Sequence, residues 1–275
     1  MKKLTSIAKI ATATTISIGA LSISSAAHAA SFNSFDLGAE GEVALTNNGS
    51  TCLSNATCLQ TSPFGFTVTS LDYDGTSSSS NKPSLLFSDN RDTANTYATK
   101  SGNFGITFFG QDNATVDEGT NTTLGEYWLR PVAVDKKGKP LEKGRLETGL
   151  FKFDFQETVS KLVLNLFDVE YADSTKVIKI NGVAQTLASL VAAGDLGDSN
   201  IQQITLRNVD NFEIQLGQLG PNSDPNGTSF NTGDGVALQG TAVPEPGVNA
   251  SLGALGLAAM FGLNRRRNSK AVKFN

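Results

Sequence analysis

Asp168 and Glu170 are the residues best spaced for chemistry. They sit two apart in the apolar run KLVLNLFDVE at 161–170, and on a strand such a pair projects from one face. Two carboxylates on one face could flank a sugar, as glycoside hydrolysis or a lyase requires, or chelate calcium, with Asp173 close by as a third oxygen donor. The bland alternative is the end of a strand, where carboxylates accept hydrogen bonds from turn amides. A second oxygen-rich stretch, Asn222-x-Asp224-x-Asn226-Gly227, follows the alternating ligand pattern of a calcium loop, glycine at the sixth position included. It starts on Asn rather than Asp, and Gly233 stands where the bidentate Glu of an EF-hand belongs, so a high-affinity EF-hand is excluded. A polar turn explains the same residues, and Asp234, just beyond, could add a carboxylate. Trp128, the single tryptophan, lies between Tyr127 and Leu129. It could stack on a sugar ring, although on a strand Tyr127 and Trp128 point to opposite faces and one of them belongs to the core.

What is missing narrows the chemistry further. Residues 1–29 have a basic start (Lys2, Lys3, Lys9), an apolar middle and Ala27-His28-Ala29 as a cleavage site, the pattern of a signal peptide cut by signal peptidase. Cleavage after Ala29 removes His28, the only histidine. Ser-His-Asp triads, Cys-His dyads and histidine-bound zinc are then excluded. Cys52 and Cys58 are the only cysteines, and in an oxidising compartment they are expected to form a disulfide; a redox pair or thiolate metal site would favour tighter CxxC spacing.

The elements that must position these residues read as short strands. Residues 64–69 alternate at period two, and 104–109 and 127–134 follow as strands. Residues 146–155 place Phe151, Phe153 and Phe155 on one face against Lys152 and Asp154, and 161–170 is apolar enough for a central strand. Asn181-Gly182 is a favoured hairpin turn between 177–180 and 183–187. Residues 201–207 and 212–216 read as another hairpin around 208–211, residues 188–193 as one helical turn, and 236–243 as the last strand. The expected fold is all-β: a single antiparallel β-sandwich, jelly-roll-like, over residues 30–242.

Residues 243–275 read VPEPGVNASLGALGLAAMFGLNRRRNSKAVKFN. Residues 247–263, if helical, extend about 26 Å, barely enough for a bilayer's hydrocarbon core. Arg265, Arg266 and Arg267 would keep the far end cytoplasmic, while Pro244 and Pro246 hold the peptide before it extended. Such a segment suits transient anchoring in the inner membrane. Removing the eight Lys/Arg and one Glu of the two end segments from totals of 22 and 26 leaves 14 basic and 25 acidic residues, a net charge of −11 against −4 for the whole chain. An acidic domain of this kind argues against nucleic-acid binding and for basic or divalent-cation partners.

Pro244, Glu245 and Pro246, the marginal apolar segment and the arginine cluster resemble the PEP-CTERM sorting signal. The resemblance implies processing near the motif by a membrane-embedded exosortase. The interior resembles the cyanobacterial LEVG group of those proteins, through Leu146-Glu147-Thr148-Gly149, Phe151-x-Phe153-x-Phe155, Phe167-Asp168-Val169-Glu170, Asn181-Gly182 and Gly233-Asp234-Gly235-Val236. Thr148 departs from the valine of the group's name. That resemblance implies an exported β-sandwich of no established chemistry. The expectation is a non-enzymatic, secreted or cell-surface protein of the extracellular matrix or envelope, touching the membrane only through its C-terminal segment before processing. The alternatives are a calcium-assisted carbohydrate-binding module, with extracellular polysaccharide as partner, and a carboxylate glycoside hydrolase or lyase.

Overall fold

The alternation expected at Phe151, Phe153 and Phe155 belongs to a much longer strand. A computed structural model describes residues 32–48, 52–53, 56–71, 84–90, 94–98, 105–108, 126–132, 148–171, 174–186, 200–219 and 232–243. The expected signal peptide, most of the sorting segment and the turn at 188–193 lie outside these residues. Within them the chain is almost entirely strand: β1 (Gly41–Val43), β2 (Cys58–Leu59), β3 (Phe66–Leu71), β4 (Leu85–Asp89), β5 (Asn95–Ala98), β6 (Gly105–Phe108), β7 (Trp128–Val132), β8 (Gly149–Phe167), β9 (Lys176–Ile180), β10 (Val183–Ala184), β11 (Ile201–Leu216), β12 (Gln218–Leu219), β13 (Thr232–Asp234) and β14 (Ala237–Ala242). Two short 3-10 turns, Thr46–Asn48 and Ser62–Phe64, flank β2.

Ten strands form one sheet in the order β10-β9-β11-β8-β14-β7-β4-β1-β2, with β3 also paired to β8. The pairs β5-β6 and β12-β13 are separate two-stranded sheets. The expected purely antiparallel arrangement is corrected by β1 and β2, which run parallel, so the sheet is mixed. It does not close: the chain just beyond β1 meets β3 through a single parallel bridge, Leu45 to Val68.

One expected hairpin and one expected strand break are also corrected, while the hairpin at Asn181-Gly182 forms between β9 and β10. Residues 146–155 and 161–170 do not form separate strands, because β8 runs through both as 19 residues. Residues 201–207 and 212–216 are likewise one strand, β11, antiparallel to β8 from Ile201↔Phe167 to Leu216↔Gly149. The polar residues at 208–211 make a bulge instead of a turn. Asn208 takes a positive φ of 51°, and the register steps from Val209↔Val159 to Asn211↔Asp154. The side chain of Asn181 secures this irregularity: its Nδ2 donates to Asn208 O at 2.8 Å, and its Oδ1 accepts from the amides of Asp210 (2.8 Å) and Asn211 (3.2 Å). Backbone groups that the disturbed ladder leaves over are satisfied by the β9–β10 turn.

At the bulge the β8–β11 ribbon folds on itself. Phe153 and Leu164, eleven positions apart, would be about 36 Å apart on a straight strand. Yet the ring of Phe35 lies 4.8 Å from that of Phe153 and also covers Gly240, whose register partner is Leu164. The two halves of β8 therefore face each other across one core. That core contains Phe66 and Val68 of β3, Phe151 and Phe153, Leu162, Leu164 and Leu166, Phe212 and Ile214 of β11, and Leu238 of β14. Phe153 and Phe212 stack with ring centroids 4.9 Å apart. Each such buried aromatic or aliphatic side chain contributes about 1.5–3 kcal/mol.

Candidate functional site

The carboxylates expected to share a strand face do not. β8 ends at Phe167, and Asp168 turns into the left-handed region at φ 68°, which breaks the two-residue alternation before Glu170. Asp168 is buried and its amide donates to Asn200 O at 2.9 Å. The side chain of Asn200 then pairs with Val169 as a backbone neighbour would, Val169 N to Oδ1 at 3.0 Å and Nδ2 to Val169 O at 2.7 Å. Glu170 is half-buried. The polar contacts of this corner terminate the strand. Asp173, Asn222, Asp224 and Asn226 lie outside the described residues, as do Pro244, Glu245, Pro246, Arg265, Arg266 and Arg267. Asp234 ends β13, in register with Gln218. Among the described residues, no three His, Cys, Asp or Glu side chains converge as a metal site would require.

Trp128 is 3% exposed, packed with Phe167 and Ala237. Its faces are thus closed to a sugar ring, which corrects the expected stacking role. Period-two alternation hides this because β7 is buried on both sides. Leu129 points into the main core; on the other side Trp128 packs on Phe167 and Ala237, while Arg130 and Val132 face a second layer.

That second layer is the β5–β6 hairpin. It sets Tyr97, Ile106 and Phe108 over Phe87 and Val132, and beneath it lies an ion pair that composition cannot reveal. Arg130 Nη1 donates to Asp89 Oδ2 at 2.5 Å, both side chains being 1% exposed, and the guanidinium sits 4.3 Å from the centre of the Phe108 ring. Burial, reinforced by Glu40 and Asp89 against an opposing pull from Arg130, pushes the Tyr97 hydroxyl up to about 12. The cluster is sealed under the hairpin and reads as a packing device.

Cys52 and Cys58 are joined in a disulfide. Cys58 opens β2 opposite Glu42, and the buried Glu42 carboxylate accepts the Leu53 amide at 2.5 Å. The bridged loop is therefore tied to β1 from inside the sheet.

The open polar surface lies elsewhere, on the outward face of the second half of the ribbon. Register places Gln203, Asn165 and Gln239 in one row across β11, β8 and β14, and Thr205, Val163 and Thr241 in the next. Arg207 and Lys161 form the row after that, directly opposite each other. Gln203, Thr205, Arg207 and Thr241 are exposed, and Asn165, Lys161 and Gln239 half-buried; Asn165 Nδ2 lies 3.4 Å from Gln239 Oε1. At the opposite end Ile201 stands 44% exposed. None of these residues was singled out in the sequence. The signal that could have found them is the strict polar alternation of Gln203, Thr205 and Arg207. The outward face of the first half differs, because it carries carboxylates that pair with its lysines, Lys152 with Asp154 at 2.6 Å and Lys179 with Glu213 at 2.9 Å.

No protein-family model matches this chain, and no curated protein or solved structure does.

Proposed function

We propose that this chain is an exported protein of the extracellular matrix or cell envelope that acts by structure and binding rather than by catalysis. Its signal peptide directs export. Its C-terminal segment holds it in the inner membrane until an exosortase cuts near Pro244-Glu245-Pro246. The observation that carries this reading is the pair of disposable ends around an acidic interior: a cleavable start with the only histidine, and a marginal apolar segment closed by three arginines. The Cys52–Cys58 disulfide suits the oxidising compartment that export implies. The folded β8–β11 ribbon is compatible with a jelly-roll-like sandwich, a fold built to present sheet faces and loops.

Intact mass measurement of the protein recovered from the medium or cell surface tests the reading. The expected mass lacks residues 1–29 and the apolar tail and is two hydrogens lighter for the disulfide. Replacing Pro244, Glu245 and Pro246 with alanine should retain the tail and keep the protein in the membrane fraction. Normal processing of that variant, or a full-length soluble cytoplasmic protein carrying His28, overturns it.

A further inference from the structure

We infer that the outward face of β8, β11 and β14 is a docking surface for an anionic polysaccharide. The inference rests on the exported reading for its setting and names the ligand class.

Charge is the first argument. Outside its two end segments the chain carries a net charge of −11, yet the three rows of this face from Gln203 to Arg207 on β11, with their register partners on β8 and β14, include no carboxylate; the row beyond them, at Phe167 and Ala237, is covered by Trp128. Arg207 and Lys161 face one another across the β8–β11 pair, and like charges so placed repel. Neither has an ion-pair partner among the described residues, in contrast to Lys152 and Lys179 on the other half of the ribbon. An anionic group set between Arg207 and Lys161 would remove the repulsion and gain two charge-assisted hydrogen bonds.

Geometry narrows the occupant. Successive rows on one face are about 6.6 Å apart and neighbouring strands about 4.8 Å, so cations, hydroxyls and amides line up on a grid. Gln203, Asn165 and Gln239 offer both donors and acceptors, which suits sugar hydroxyls, and the two cations supply the site for a carboxylate or sulfate of the same chain. Nucleic acid is disfavoured because, among the described residues, this face presents no exposed aromatic ring for base stacking.

The test uses the purified full chain in mild detergent, with Arg265, Arg266 and Arg267 changed to Gln throughout so that the tail's charge does not contribute. Mobility is measured in native gels containing polygalacturonate, neutral dextran or single-stranded DNA. Polygalacturonate should retard the protein, less so as salt rises, and the variant combining Lys161→Gln and Arg207→Gln should bind about tenfold more weakly. The charge-keeping pair Lys161→Arg with Arg207→Lys should bind as the parent does, and Lys179→Gln, on the balanced face, should change nothing. Equal retardation by dextran or DNA, absence of retardation, or undiminished binding by the charge-removing variant each overturns the inference. Because these measurements use purified protein, they can fail while the processing experiment succeeds, and the reverse.

Discussion

Asp89 and Arg130 stabilise each other only as a pair. Both are 1% exposed, and two charges removed from water gain only when each keeps the other. Arg130→Met should lower stability by about 3–5 kcal/mol, because it strands the Asp89 carboxylate under the hairpin. Adding Asp89→Leu should recover most of that loss, which urea unfolding of the single and double variants would read. Tyr97 belongs to the same cluster and yields a pH prediction. Its hydroxyl is raised to about 12 from an unfolded value of about 10, so the folded state favours the protonated form. The stability this represents is complete below about pH 10 and is lost as pH rises from there through 12, at a cost of about 2–3 kcal/mol. Tyrosinate absorbance followed against pH should show a late step from Tyr97, and Tyr97→Phe should remove that step along with the alkaline loss of stability.

At the scale of elements, the bend in the β8–β11 ribbon depends on a hairpin turn from a third strand. Asn181 has φ 51° and its side chain makes three hydrogen bonds to the bulge at 208–211. Asn181→Gly keeps the backbone conformation accessible while deleting those bonds. It should cost about 1–3 kcal/mol, seen as a lower urea midpoint, and amide exchange should quicken at Asp210 and Asn211 before the rest of β11. If only the turn mattered, glycine would be harmless there. Close packing makes a comparable demand at Gly240, where an added Cβ would lie 2.5 Å from the Phe35 ring. Gly240→Ala should therefore destabilise by about 1–3 kcal/mol, measurable in the same denaturation series.

At the scale of the whole molecule, β8 and β11 run through both halves of the main core, and Phe35 touches both halves of β8 at once. Unfolding should accordingly be a single cooperative transition. The fluorescence of Trp128, which reports on the β7 side, and far-UV circular dichroism, which reports on all strands, should give coincident urea curves. Two separated transitions would show that the halves fold apart. The same continuity gives the molecule two unlike outward faces, one with the Lys152–Asp154 and Lys179–Glu213 pairs and one of amides, hydroxyls and cations without carboxylates.

Local patterns in the chain were enough to establish what depends on near neighbours. The period-two rhythm of Phe151, Phe153 and Phe155, the Asn181-Gly182 turn, the pairing of Cys52 with Cys58 and the all-β class all follow from spacing and residue type, because alternation and turn geometry act over a few residues. Contacts distant in sequence decided the rest. Whether 208–211 turns or bulges depended on Asn181 reaching across from another hairpin. Whether Trp128 met solvent or Phe167 depended on what covers the second side of β7. Asp168 left its strand because Asn200, 32 residues away, supplies its hydrogen-bonding partner. In each case the local preference is worth a fraction of a kcal/mol, while burial and a satisfied backbone are worth more, so tertiary packing prevailed.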